Sequence, residues 1–146
     1  MLRLDDVRDR LALKVPALDG RIGNAAELSL LIERNQMPTV TPYAFVVPGG
    51  FTGRPARAVS GFFIQDFDEA VWIALFVRVA ADPSGSKALE ELTPLVRQVV
   101  VALCGWGPED APGIFELTNG QPAGSQAGSL AFHLEFTLQD QLRITP

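Results

Sequence analysis

Residues 71–79 read Val71-Trp72-Ile73-Ala74-Leu75-Phe76-Val77-Arg78-Val79. β-Branched and aromatic side chains dominate the run, which marks it as a strand. Side chains alternate along a strand, so Val71, Ile73, Leu75, Val77 and Val79 share one face. Trp72, Ala74, Phe76 and Ala80 share the other, interrupted only by Arg78. Both faces are apolar, so both need a cover. A turn follows at Asp82-Pro83-Ser84-Gly85-Ser86. Residues 87–103 then read as one long helix that stops at Gly105-Trp106-Gly107. Its apolar stripe is Leu89, Leu92, Val96, Val99 and Leu103, widened by Leu95 and Val100. Lys87, Glu90, Glu91, Arg97 and Gln98 lie on the wet side. This helix can cover one face of the strand and leaves the second to be covered by something else.

A chain of 146 residues reads as one domain, residues 1–146. That length buries roughly 68–70% of its unfolded surface, enough for a core. The net charge of −5 opposes tight binding to a phosphate backbone. The single cysteine, Cys104, excludes an internal disulfide and a multi-cysteine zinc site. Leu4-Asp5-Asp6-Val7-Arg8 is charged from the start and does not read as a signal peptide. No apolar run reaches the ~20 residues needed to span a bilayer. The expectation is a soluble protein that folds inside a cell.

Working outward, residues 4–15 form an amphipathic pattern with Leu4, Val7, Leu11 and Val15 on one stripe. Asp5, Asp6 and Asp9 sit early, where a helix dipole favours negative charge, and Pro16 ends the helix. Asn24 and Glu27 have capping-box spacing ahead of a short helix over 25–33. Residues 43–47 read as a buried strand. Residues 48–57, rich in Gly and Pro, read as a long flexible loop or arm. Residues 59–67 read as the next strand, joined to 71–79 by a hairpin turn across Asp66-Phe67-Asp68-Glu69. A short strand at 115–117 and a mobile loop at 120–129 follow. Leu130, Phe132, Leu134, Phe136 and Leu138 alternate with polar neighbours and mark a half-buried strand. The expected fold is α+β: an antiparallel or mixed sheet of four to five strands, packed by about three helices, with the long helix between strands 3 and 4.

The residues give little chemistry. The one histidine, His133, lies on the polar side of the last strand, and Cys104 lacks an electropositive setting. Asp66, Asp68 and Glu69 place three carboxylates in four residues, a pattern more often found at solvated hairpin ends than around a hard cation. Gly50-Phe51-Thr52-Gly53 matches the GXXG of KH-type RNA binders, but that motif joins two helices and Pro55 and the flanking strands forbid it. No Gly-Lys-Ser/Thr follows, so no P-loop forms. The reading is no catalytic residue, no metal and no cofactor. What remains is a domain with an apolar second sheet face, including Trp72 and Phe76, and an arm carrying Phe51, Arg54 and Arg57. These five residues are the partner-interface candidates.

The order of landmarks resembles the tail terminator proteins of long-tailed bacteriophages and prophages. The shared landmarks are Val15-Pro16-Ala17-Leu18, then Arg21-Ile22-Gly23-Asn24-Ala25-Ala26-Glu27-Leu28. They continue through Met37-Pro38-Thr39-Val40-Thr41-Pro42-Tyr43-Ala44-Phe45-Val46-Val47-Pro48, the strand at 71–79, the helix opening at Ala88-Leu89-Glu90-Glu91-Leu92, and its ending Leu103-Cys104-Gly105-Trp106. The resemblance implies a structural protein of the virion tail or neck, assembled in the bacterial cytoplasm. It implies a homo-oligomeric ring, a hexamer, that caps the completed tail tube and stops its polymerisation. The implied partners are the tail tube protein and a head-side connector, with DNA passing through the lumen without specific binding and no membrane. The competing assignment is another small neck or tail subunit, such as a connector or completion protein.

Overall fold

The computed structural model describes residues 1–126 and 128–146. Helix α1 (Leu4–Lys14) leads through a 3-10 turn (Pro16–Leu18) to strand β1 (Ile22–Asn24) and helix α2 (Ala25–Glu33). Strands β2 (Tyr43–Gly53), β3 (Arg57–Val59) and β4 (Phe62–Arg78) follow, then helix α3 (Ser86–Leu103) and strands β5 (Phe115–Gln126) and β6 (Ser129–Ile144). Five strands run across the sheet in the order β1-β2-β4-β6-β5, and the short β3 pairs with β4 beside β2. β1 joins β2 in parallel and the other pairings are antiparallel, so the sheet is mixed. The α+β class, the three helices and the long helix set between strands are as the sequence pattern predicts.

The core lies between the sheet and α1 with α3. Val71, Ile73, Leu75 and Val77 of β4 are buried there with Val7, Leu11 and Val15 and with Leu92, Leu95, Val99 and Leu103. The predicted α1 stripe is therefore the real one. The α3 stripe is rotated at its start: Ala88 is buried and Leu89 is exposed. The cause is local. Asp82 is buried and its carboxylate accepts from the Ala88 backbone N–H at 3.0 Å, which anchors the first turn with Ala88 facing inward. At α2, Asn24 Oδ1 accepts from the Glu27 N–H at 2.9 Å, as the capping spacing predicts.

Three local expectations are corrected. Residues 66–69 do not turn: Phe62–Arg78 is one strand of 17 residues, and the hairpin reverses at Ser60-Gly61, where Gly61 has φ +82°. Asp66 and Asp68 point to one face and Phe67 and Glu69 to the other, so the four residues suit a strand and none supplies a positive φ. Residues 48–53 are not a loop but the outer half of β2, paired with β4 down to Gly53↔Phe67 across a bulge at Pro48/Gly50. Pro48 is tolerated because β2 is an edge strand there and needs no N–H on its open side. The expected loop at 120–129 is mostly the outer half of β5, paired with β6 through two irregularities. Pro122, Gly120 and Gly124 are accommodated on that edge for the same reason; Ala127 lies outside the described residues.

Candidate functional site

The long pairings build an arm. β4 pairs with β6 from Arg78↔Ser129 to Phe63↔Ile144, beyond the helices that cover Val71–Val77. β2 and β3 complete the other side. None of residues 62–66 is buried. The alternation that puts Val71 in the core puts Phe63, Phe67 and Glu69 on the same face. Their register partners Ile144, Asp140 and Leu138 join them, and Phe51 lies opposite Glu69. Phe51 sets its ring edge against Phe67 at 5.6 Å and still exposes 44% of its surface. Ile144 is 48% exposed. Phe67, Glu69, Leu138 and Asp140 are still buried, so the cover ends there and only the outer part of the arm face, with Phe51, Phe63 and Ile144, continues the core uncovered.

The opposite arm face is charged and already paired. Arg54 forks onto both oxygens of Asp68 at 3.1 Å, and Arg57 reaches Asp66 at 3.4 Å. Gln141 donates to Asp66 at 2.8 Å. The two arginines expected at a partner interface are thus engaged within the chain, in partly exposed pairs of little net stability.

Where the arm joins the body, a buried polar cluster ties down the N-terminus. The Glu69 carboxylate accepts the backbone N–H groups of Leu2 and Arg3 at 2.9 and 2.7 Å. Arg3 donates to Asp140 at 2.9 Å and pairs with Asp110. Burial works against the Arg3 charge, but the hydrogen bonds and charges of Asp140 and Asp110 outweigh it and hold its pKa above the ordinary value. Sequence reading missed this cluster, because its members are 66 to 137 residues apart. It also disposes of the acidic run: Glu69 faces the N-terminus while Asp66 and Asp68 face the arginines. Among the described residues no cluster of His, Cys, Asp or Glu could hold a metal ion.

On the second sheet face, the outcome divides. α2 covers one end. Phe45 is buried there and meets Phe76 edge-to-face at 5.6 Å, with Tyr43 beside it. Phe76 is half-buried within its own chain, whereas Trp72 remains 38% exposed next to His133. Burial pushes the His133 pKa below its ordinary value. His133 on this face and Cys104, packed against the core on the other, are separated by the sheet. Among the described residues none of α2 is buried, although its sequence Ala-Ala-Glu-Leu-Ser-Leu-Leu-Ile-Glu is mostly apolar. Between α2, the segment after it and β2 lies an open groove of about 570 Å³, lined by Leu30, Leu31, Met37, Val40, Tyr43 and Phe45. Glu27, Arg34 and Arg78 line it as well. The arrangement offers surfaces for protein contact.

Residues 1–146, the whole chain, match the family model described as phage tail terminator protein, and the chain belongs to that family. No curated protein matches it. Membership gives it a structural role in bacteriophage tail assembly, placed at the tail or neck of the virion.

Proposed function

We propose, from the chain's membership of the phage tail terminator family, that it assembles into a ring, a hexamer, that caps the completed tail tube. The ring stops tube polymerisation and presents its other side to the head-side connector. DNA passes through the lumen without specific binding, in keeping with the net charge of −5. The observation that carries this reading is the pair of uncovered apolar surfaces on a single domain, the arm face and the α2 groove. Surfaces of this kind mark protein–protein contact. Phe51 is the arm's apolar contact, and Trp72 is a further contact on the second face. Arg54 and Arg57 hold the arm's shape through Asp68 and Asp66 and offer their remaining donors to a neighbour. Phe76 supports the groove from beneath. The function needs no catalytic residue, metal or cofactor.

The test is to mix the protein with its cognate tube protein and measure tube length by electron microscopy. A terminator yields capped tubes of limited length. Tubes that grow as long with the protein as without it refute the capping role and favour a head-side connector.

A further inference from the structure

Two irregularities of the sheet fall on one row. Register sets Pro48, Val71, Phe136 and Leu117 side by side across β2, β4, β6 and β5. β2 carries its extra residue, Gly49, just to the arm side of this row, and β5 carries its own, Thr118, just to the body side. Between them β4 and β6 pair without a shift from Arg78↔Ser129 to Phe63↔Ile144. A bulge interrupts its ladder and bends its strand. Of the ladders that cross the row, only that of β4 with β6 is therefore undisturbed. The other irregularity of β5, at Pro122/Gly124, has no counterpart in β2. The β2 bulge is specified by its glycines: Gly50 has φ +93°, and a Cβ on Gly49 would come within 2.6 Å of the Trp72 ring.

We infer that this row is a hinge and that residues 2 and 3 are the latch that fixes the angle of the arm to the body. Glu69 and Asp140 both lie on the arm side of the row. Among the described residues, the hydrogen bonds from the arm to the helical layer are those of Glu69 and Asp140 with residues 2 and 3, directly before α1. The latch closes at a cost. Leu2 takes φ +55°, a left-handed conformation that a side chain disfavours. Arg3 Nε is buried without a hydrogen-bond partner, and the Asp110 that Arg3 also holds is exposed to competing water. Opening moves Arg3, Glu69 and Asp140 into water together, so no single charge is left buried and unpaired. A tilt about the row then re-aims Phe51, Phe63 and Ile144 as one unit, because the arm's own ladders stay paired. Hinges of this kind are a few residues that absorb the change while the rest moves rigidly. The device belongs to the single chain and does not depend on the ring.

The experiment measures spin-label distances in the full chain, with Cys104→Ser to remove the native thiol. One pair of labels, at Ser60→Cys on the arm tip and Gln98→Cys on the outer side of α3, spans the row. A second pair, at Thr52→Cys and Ser60→Cys, lies within the arm. All three label positions are exposed. Labelled chain is diluted with unlabelled chain, so that each distance belongs to one copy. Frozen samples record the populated angles, which interconvert on the μs–ms scale in solution. The latch is weakened by Glu69→Gln, which turns an amide donor toward the N–H groups of residues 2 and 3. Arg3→Lys, whose single nitrogen cannot serve both Asp140 and Asp110, serves if thermal unfolding shows that Glu69→Gln does not fold. The spanning distance should broaden and shift in the latch variant, while the distance within the arm stays as in the unmutated latch. Deleting Gly49 as well restores an unbroken β2 ladder and should narrow the spanning distance again. A spanning distance unmoved in folded Glu69→Gln and Arg3→Lys would overturn the latch. Broadening of both distances would mean that the arm melts instead of tilting, and would overturn the hinge. So would a spread that the Gly49 deletion leaves unchanged, which would place the bend elsewhere.

Discussion

At Val71, β4 is paired on both edges and lies against the core formed with α1 and α3; at Phe63 the same strand is still paired on both edges, to β3 and β6, but no residue from 62 to 66 is buried. The two ends differ little in backbone hydrogen bonding and greatly in apolar burial. Ladder bonds give the arm its shape, because each strand saturates its neighbour. They give it little stability, because protein–protein hydrogen bonds replace bonds to water. A narrow β-ribbon with a bare apolar face is marginal in water. The arm is therefore the part of the molecule with most to gain from a partner.

That contrast predicts a graded series. The largest effect belongs to the covered end. Phe136, opposite Val71 and wholly buried, should cost about 3–5 kcal/mol when replaced by Ala. Phe51→Ala on the arm should cost only about 1 kcal/mol, since nearly half of that side chain already meets water. Urea unfolding of both variants measures the difference. Equal losses would break the contrast and make the arm part of the cooperative core.

Next comes the junction. Arg3→Ala removes the partner of the buried Asp140 and should destabilise by about 3 kcal/mol, an uncompensated buried charge being the reason. The same urea titration reads it, and hydrogen exchange should show the N-terminal residues and residues 138–142 opening together. A loss below about 1 kcal/mol would mean that the cluster relaxes into solvent.

Arg54→Ala, on the charged arm face, should change stability by less than about 1 kcal/mol, because the Arg54–Asp68 pair is partly exposed and screened by salt. If assembly also survives this change, the arm acts through its apolar face alone.

The smallest effect concerns pH. Burial disfavours the charged form of His133, so the unfolded chain takes up a proton at a higher pH than the folded one. Its contribution is nil above the ordinary histidine range of about 6.5 and becomes a slight destabilisation as the pH falls from there through the lowered folded value. His133→Gln should remove that part of the slope. An unchanged slope between pH 7 and 5 would assign it to other groups.

The sequence by itself determined what depends on neighbours within one helical turn or one strand repeat. The α1 stripe, the cap at Asn24, the extent of α3 and the buried face of Val71–Val77 all follow from local periodicity, and the core confirms each of them. Membership of the tail terminator family was legible in the order of landmarks along the chain. Tertiary structure alone decided whether Gly- and Pro-rich stretches become loops or edge strands. Residues 48–53 and 120–126 look like breakers, yet each needs a partner on only one side, and β4 and β6 supply it from far along the chain. Long-range pairing likewise carried β4 through Asp66–Glu69, where acids alternate between arginines on one face and the N-terminus on the other. The candidate site divides the same way. Phe51 and Trp72 could be picked out as large apolar side chains in segments with little local cover. That Phe76 lies half-buried under its own chain, that Arg54 and Arg57 are already paired, and that α2 leaves a groove beside β2 depend on residues brought together across the sheet. Periodicity records which face a side chain takes, but only the packed chain decides what covers that face.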